Sequence, residues 1–180
     1  QNVSISTPIL CFGDQATIAI QLNQTSPPTP IKIVVGYEIP ALPGLFIPIT
    51  TTNNTTVSNV SVPSLPSNTY IIRLVDSIDY YNTNPDGADP ASIYDVDTIF
   101  VPTPTQLTNT AVVSSPLDCY GDCDAQVTVN VLGGTPPHSV AFGGGTLFSN
   151  PQNPTFDSTY VNLCAGTYSI SVVDANGCFV

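Results

Sequence analysis

Five cysteines are the side chains with the most evident chemistry in this sequence, because paired thiols oxidise to disulfides outside reducing compartments. Four of them lie in the second half of the chain, Cys119, Cys123, Cys164 and Cys178, and four cysteines allow three pairings. We favour Cys119 with Cys178, which would join an opening turn to an end turn. Cys123 with Cys164 would then hold the same opening turn. Cys11 has no evident partner and is expected to be a buried, unpaired thiol.

Zinc binding is the competing interpretation of the same four residues. Zinc sites use pairs of cysteines a few residues apart on tight turns. Cys119 and Cys123 have an acceptable spacing, but Cys164 and Cys178 are too far apart in sequence to form such a pair. Disulfides therefore fit the spacing better than zinc does.

An acidic insertion at residues 77–95 offers oxygen ligands for a hard cation. Asn82, Asn84 and Asp86 alternate along the chain in the way that successive ligands of a calcium loop do, and Asp89 follows them. Ile93 occupies the position where such a loop has its bidentate glutamate, which predicts weak affinity. The competing interpretation is a solvated turn cluster of Asn, Asp, Pro and Gly. No cofactor is required by the sequence, and calcium is the one candidate ion.

Catalysis finds little support in the sequence. The single histidine, His138, follows two prolines at the start of a predicted strand, with no recognisable nucleophile motif beside it. One Glu and scattered Asp residues give no spacing that indicates glycoside hydrolysis. We therefore expect a protein that is not an enzyme. Tyr80, Tyr81 and Tyr94 are candidates for an aromatic platform that binds carbohydrate, and their alternative role is to anchor the insertion.

The charge balance excludes several partners. Only Lys32 and Arg73 stand against thirteen acidic residues, for a net charge of −11. Such a chain cannot neutralise a row of phosphates, so nucleic acids and anionic membranes are poor partners. No apolar run is long enough for a membrane helix, and no signal peptide is recognisable, so the sequence is expected to be a mature protein or an excised piece.

A long internal repeat organises the chain. Residues 7–14, TPILCFGD, return as SPLDCYGD at 115–122, and residues 65–76, LPSNTYIIRLVD, return as LCAGTYSISVVD at 163–174. We predict two tandem domains, 1–107 and 108–180, with the acidic insertion and a stiff Pro/Thr connector at 101–107 in the first.

Both copies have the composition and periodicity of strands. Thr, Val and Ile make up nearly a third of the residues, and all three favour strands. Alternation of apolar and polar residues predicts strands, and no stretch shows a helical stripe. The predicted strands are 16–22, 31–37, 56–62, 69–75 and 95–101 in the first copy, and 125–132, 138–142, 159–163 and 167–173 in the second.

The fold class predicted is all-β, with two tandem immunoglobulin-like antiparallel sandwiches. Leu65 with Tyr70, and Leu163 with Tyr168, have the spacing of a tyrosine corner, in which the phenol bonds backbone upstream. Only six residues follow Asp174, so the second copy is expected to lack its last strand. Truncation of a longer repeat array is the simpler explanation, and strand addition by a neighbour is the alternative.

Four motifs of the second copy occur in order and carry a family resemblance. They are CYGDCD from Cys119, GGTPP from Gly133, LCAGTY from Leu163 and VVDANGC from Val172. Together they resemble an SprB repeat. The resemblance covers about residues 110–178 closely and 1–107 more loosely. The first copy departs from the pattern, since it lacks the Gly-Gly and the terminal Asn-Gly-Cys. His138 also stands where the family usually has tyrosine.

The resemblance implies a function outside the cell. SprB repeats build large surface adhesins of gliding bacteria that the type IX secretion system exports. It implies an extracellular structural or adhesive module, whose partners would be other repeats of the same chain, the gliding or secretion machinery and surface polysaccharide, without insertion into the membrane. Bacteria with this family also glycosylate short Asp-Ser/Thr-apolar signals, which makes Ser77, Thr98 and Ser158 candidate glycosylation sites. A carbohydrate-binding accessory domain is the alternative function.

Overall fold

The chain folds into antiparallel β-sheets. A computed structural model describes residues 1–22, 31–39, 41–42, 45–52, 59–76, 93–143, 148–150 and 156–180. All of the regular structure in these residues is strand, which confirms the predicted all-β class. The chain divides into two compact units, the first made of residues 1–9 and 14–102, and the second of residues 10–13 and 103–180.

The first unit contains two sheets. The three-stranded sheet has the order β1-β2-β5 and the four-stranded sheet the order β4-β3-β6-β7, and every neighbouring pair is antiparallel. The strands are β1 (Asn2–Thr7), β2 (Ala16–Gln21), β3 (Ile31–Glu38), β4 (Phe46–Thr51), β5 (Asn59–Leu65), β6 (Asn68–Asp76) and β7 (Ile93–Val101).

One buried core joins these two sheets. Alternation in β2 turns Ile18 and Ile20 inward, and they share a core cluster with Ile33 of β3 and Ile72 of β6. Strand β3 is also buried on its other face, where Val34 belongs to a smaller apolar cluster. A strand whose side chains are buried on both faces removes more apolar surface from water than a strand buried on one face, and so contributes more to stability. The most buried part of the first unit is therefore the β3 strand, next to β6.

The second unit repeats this arrangement with six strands. Its sheets have the orders β12-β9-β8 and β11-β10-β13, and its core cluster includes Val129, Val140 and Val172. The strands are β8 (Thr108–Ser115), β9 (Ala125–Leu132), β10 (His138–Phe142), β11 (Phe148–Asn150), β12 (Phe156–Leu163) and β13 (Ile170–Val173). In chain order these six occupy the places that β1 to β6 occupy in the first unit.

The correspondence extends to single backbone positions. Gly13 and Gly121 have φ angles of +92° and +91°, in a region that L-residues rarely adopt. Ser64 and Asn162, each one residue before a repeated leucine, have φ angles of +63° and +57°. Two chain segments with this much local agreement fold by the same local rules, so a residue in one copy can be compared with its counterpart in the other.

The second unit differs at the edge of β13. In the first unit β7 pairs with β6 from Asn68 to Val75. In the described part of the second unit, Phe179 forms a single bridge with Val173 on β13. Val180 exchanges two backbone hydrogen bonds with Val172, of 2.9 and 3.0 Å. These last residues begin a pairing of the kind that β7 makes along β6.

Candidate functional site

A tyrosine closes the same turn in each unit. The Tyr70 hydroxyl donates a hydrogen bond of 2.7 Å to the Pro66 carbonyl, and the Tyr168 hydroxyl donates one of 3.0 Å to the Cys164 carbonyl. Both bonds reach four residues upstream, as the tyrosine-corner spacing predicted. Burial, and to a smaller extent the nearby Tyr37, raises the pKa of Tyr70 above its ordinary value of 10.0.

The predicted Cys123–Cys164 disulfide is confirmed. It joins the loop before β9 to the residue after β12, and these strands are neighbours in one sheet. Because Cys164 also accepts the Tyr168 hydrogen bond, the disulfide and the corner hold the same turn. The bond spans 41 residues of sequence, and the chain-entropy relation gives about 4 kcal/mol of stabilisation for such a loop.

The predicted Cys119–Cys178 disulfide is wrong, because Cys178 bonds Cys11. The expectation that Cys11 is an unpaired thiol fails with it, and Cys119 is exposed and free. The physical reason is the placement of residues 10–13, which belong to the second unit although their neighbours in sequence belong to the first. This placement brings the Cys11 and Cys178 Cα atoms to 5.6 Å, a normal separation for a disulfide.

The Cys178 turn is built around one buried carboxylate. Asp174 is 6% exposed. One of its oxygens accepts hydrogen bonds of 2.9 Å from the backbone N–H groups of Asn176 and Cys178, and the other accepts one of 2.8 Å from the Thr135 N–H. Gly177 has a φ of +84°, which closes the turn. We name residues 174–178 the DANGC turn.

The segment 10–13 binds this turn by more than its disulfide. The Asn176 side-chain amide donates hydrogen bonds of 3.0 Å to the Leu10 carbonyl and 3.1 Å to the Thr135 hydroxyl. The same asparagine therefore holds both the incoming segment and the neighbouring GGTPP loop. The disulfide encloses a sequence separation of 167 residues, for which the chain-entropy relation gives about 5 kcal/mol.

The GGTPP loop explains the position of the single histidine. His138 begins β10 and is fully buried, and its Nε2 lies 2.8 Å from the Gly133 carbonyl oxygen. A side chain added at Gly133 would come within 2.0 Å of the Gln106 carbonyl oxygen, so this loop approaches the preceding segment too closely for any other residue. His138 is bonded to backbone inside the second unit.

A shallow apolar cavity of about 190 Å³ lies on the second unit. Phe142 stacks on Tyr160 and Tyr168 there, with ring centroids 4.1 and 5.2 Å apart. Tyr168 is 36% exposed, whereas its counterpart Tyr70 is 2% exposed and pairs with Ile99 of β7. The cavity is lined by Ala111, Val113, Val127, Phe142, Tyr168 and Ile170.

Most of the remaining predicted site residues lie outside the described residues. Asn82, Asn84, Asp86 and Asp89, the candidate calcium ligands, lie outside them, as do Ser77, Tyr80 and Tyr81. Tyr94 lies in β7, with its side chain outside the description, Thr98 is exposed in β7, and Ser158 is partly buried in β12. Within the described ranges, no three His, Cys, Asp or Glu side chains group in a way that could hold a metal ion.

Neither a family model nor a curated protein matches the chain. Within the residues that the structure describes, no helix is long and apolar enough to cross a membrane. The main chemical features of the described residues are two disulfides and the turns that they hold. Disulfides of this kind are typical of proteins that function in an oxidising, extracellular environment.

Proposed function

We propose that this chain is a structural and adhesive module of a secreted cell-surface filament or giant adhesin, made of two immunoglobulin-like repeats of the SprB kind. It is exported by type IX secretion, takes part in gliding motility and surface attachment, and performs no catalysis. One observation carries the proposal: a disulfide between Cys11 and Cys178 encloses almost the whole chain. We name this disulfide the bracket. Tension applied at Gln1 and Val180 would pass through this bond and not through residues 12–177.

The distribution of protease sites supports exposure outside the cell. Lys32 and Arg73 are the only residues after which trypsin-like proteases cut. Lys32 is 4% exposed within β3, and Arg73 lies within β6 with its guanidinium 3.8 Å above the Phe46 ring. Proteolysis requires an accessible, locally unfolded segment, so both sites are protected in the folded protein.

The experiment that tests this function is attachment of the source cells under flow. Removing the bracket with C11S and C178S together should leave attachment at rest unchanged and lower the shear at which cells detach. V112S is the matched control, because Val112 is exposed on β8 and takes no part in either disulfide. Equal detachment of the bracket variant and the control at every shear would show that the Cys11–Cys178 bond does not transmit force.

Carbohydrate binding by the insertion is tested separately. Replacing Tyr80 and Tyr81 with alanine should leave binding of cells or protein to polysaccharide unchanged if the chain is a spacer. Tyr120, fully exposed in the turn after Cys119, provides a matched control as Y120A. Loss of polysaccharide binding in the double variant alone would replace the spacer function with that of a carbohydrate-binding accessory domain.

A further inference from the structure

Two loops of this chain have the same sequence pattern and the same backbone turn. Cys11 stands four residues after the end of β1, and Cys119 stands four residues after the end of β8. Each is followed by an aromatic residue, a glycine and an aspartate, and the two glycines have φ angles of +92° and +91°. We name residues 10–13 the first CxG loop and residues 118–121 the second CxG loop.

The structure shows what the first CxG loop binds. It lies on the DANGC turn, where the Leu10 carbonyl accepts the Asn176 amide and Cys11 bonds Cys178. Asp174 fixes the backbone of this turn by accepting hydrogen bonds from the Asn176 and Cys178 N–H groups. The pair is thus a loop from one copy of the repeat and a turn from the copy that follows it in sequence.

The second CxG loop has no such partner within the described residues. Cys119 is exposed and free, since the DANGC turn of its own copy is already bonded to Cys11. The loop is nevertheless preformed: the Asp122 N–H donates a hydrogen bond of 3.3 Å to the Cys119 carbonyl. Its glycine has the same φ as the glycine of the loop that binds, and its thiol is accessible.

We propose that Cys119 forms a disulfide with the DANGC turn of a further copy of this repeat, the one that follows in the same chain. The inference rests on the proposed function, because it requires an array of repeats. Each copy would then be joined to the next by a disulfide of the kind that joins Cys11 to Cys178. The result is a chain of repeats in which each enclosed segment overlaps the segment enclosed by the next disulfide.

The oxidation balances with one named co-reactant. Cys119 and the cysteine of the next DANGC turn each lose a proton, and one sulfur–sulfur bond forms. The two electrons and two protons pass to the disulfide of a thiol–disulfide oxidoreductase, which leaves as a dithiol. A partner on the same chain has an effective concentration of about millimolar, which favours this bond over one between separate molecules at micromolar concentration.

The test extends the full chain by one copy. Residues 103–180 are repeated after Val180, with C119S in the added copy so that one Cys119 remains. A protease that cleaves before aspartate puts all five cysteine positions in different peptides, since Asp118 and Asp122 flank Cys119 and Asp174 precedes Cys178. The protein is oxidised with a glutathione couple, alkylated, digested without reduction and analysed by mass spectrometry.

The proposal predicts the Asp118–Gly121 peptide joined to the terminal peptide of the added copy, with alkylated Cys119 nearly absent. The matched control carries C178S in the added copy and should return Cys119 to the alkylated form. Absence of alkylated Cys123 and Cys164 shows that the added copy has folded. Alkylated Cys119 in that folded chain, or Cys119 joined to Cys119 of another molecule, would overturn the proposal.

Protein isolated from its source provides a second, independent test of the Cys119 disulfide. The same peptide map should show Cys119 joined to an Asn-Gly-Cys peptide of another copy. Cys119 found as a free thiol there would overturn this inference, while the bracketed repeat module would stand as long as Cys11 remains bonded to Cys178. Free thiols at all five positions would instead remove the proposed function itself.

Discussion

Pulling on the two ends of this chain should extend it by very little while the Cys11–Cys178 bond is intact. With handles at Gln1 and Val180, only twelve Cα-to-Cα steps lie outside the bond. At about 3.5 Å a step these steps reach about 42 Å. The bond itself adds a Cα separation of 5.6 Å. The fully stretched chain is therefore about 50 Å long.

Breaking this one bond changes the length almost tenfold. In C11S the Cys123–Cys164 bond still removes its enclosed loop, and 138 steps remain. The stretched length becomes about 480 Å. C119S should behave like the unchanged chain, because Cys119 takes no part in a bond within these residues. The assay is single-molecule force spectroscopy without reductant, in which the final contour length is read directly.

The result also separates the two possible pairings of Cys178. If Cys178 were bonded to Cys119, the unchanged chain would reach about 420 Å, since 120 steps would lie outside the bond. C119S would then be longer, and C11S would not differ from the unchanged chain. A long final contour for the unreduced chain would show that force is not carried by the Cys11–Cys178 bond.

Four further results are expected. Y70F should lower the free energy of unfolding by about 1 kcal/mol, because it removes a hydrogen bond made by a buried phenol. Y168F changes an exposed phenol and should lower it by less than about 0.5 kcal/mol. Urea unfolding followed by circular dichroism measures both, and equal losses would contradict the difference in burial. Burial raises the pKa of Tyr70 above 10.0. The contribution of the neutral phenol to the free energy of unfolding is therefore complete below pH 10 and is lost as the pH rises through the higher folded pKa. Y70F should remove that part of the stability loss at alkaline pH, and an unchanged dependence of stability on alkaline pH would contradict it. D174A breaks three hydrogen bonds to one buried carboxylate and should cost about 3 kcal/mol, read as a lower melting temperature. Calcium should slow proteolysis of residues 77–92 in the unchanged chain and not in D86N, and identical cleavage with calcium or with chelator would remove the calcium hypothesis.

The features predicted correctly from the sequence are the ones set by local patterns. The tyrosine corners depend on a leucine and a tyrosine a few residues apart, and the bonds from Tyr70 and Tyr168 follow from that spacing. Cys123 and Cys164 stand beside strands that pair with each other. Such signals lie within one copy, where period-two alternation already indicates nine of the thirteen described strands.

Four strands were not predicted, and all four lie at the edges of sheets. They are β1, β4, β8 and β11. An edge strand pairs on one side only and needs fewer apolar residues to remain in place. β1 and β8 bury none of their residues fully, and β4 contains Pro48, which is tolerated at an edge. Weak alternation is thus the physical consequence of their position.

The pairing of Cys11 was mispredicted because its partner lies in the other copy. The four cysteines of the second copy can pair among themselves, and the first copy contains no counterpart of Cys178. The match between Cys11 and Cys119 was visible in the repeat, and it makes both of them candidates for Cys178. Which of the two is chosen depends on where residues 10–13 lie, and no pattern within one copy contains that information.

The proposed function is tested most directly by locating the protein on intact cells. Immunogold electron microscopy of unpermeabilised source cells, with antibody raised against the second unit, should place gold along filaments outside the cell surface. Cells lacking the coding sequence provide the control. Gold on extracellular filaments is the result that a secreted repeat module predicts. Gold found only after permeabilisation, inside the cell, would contradict it.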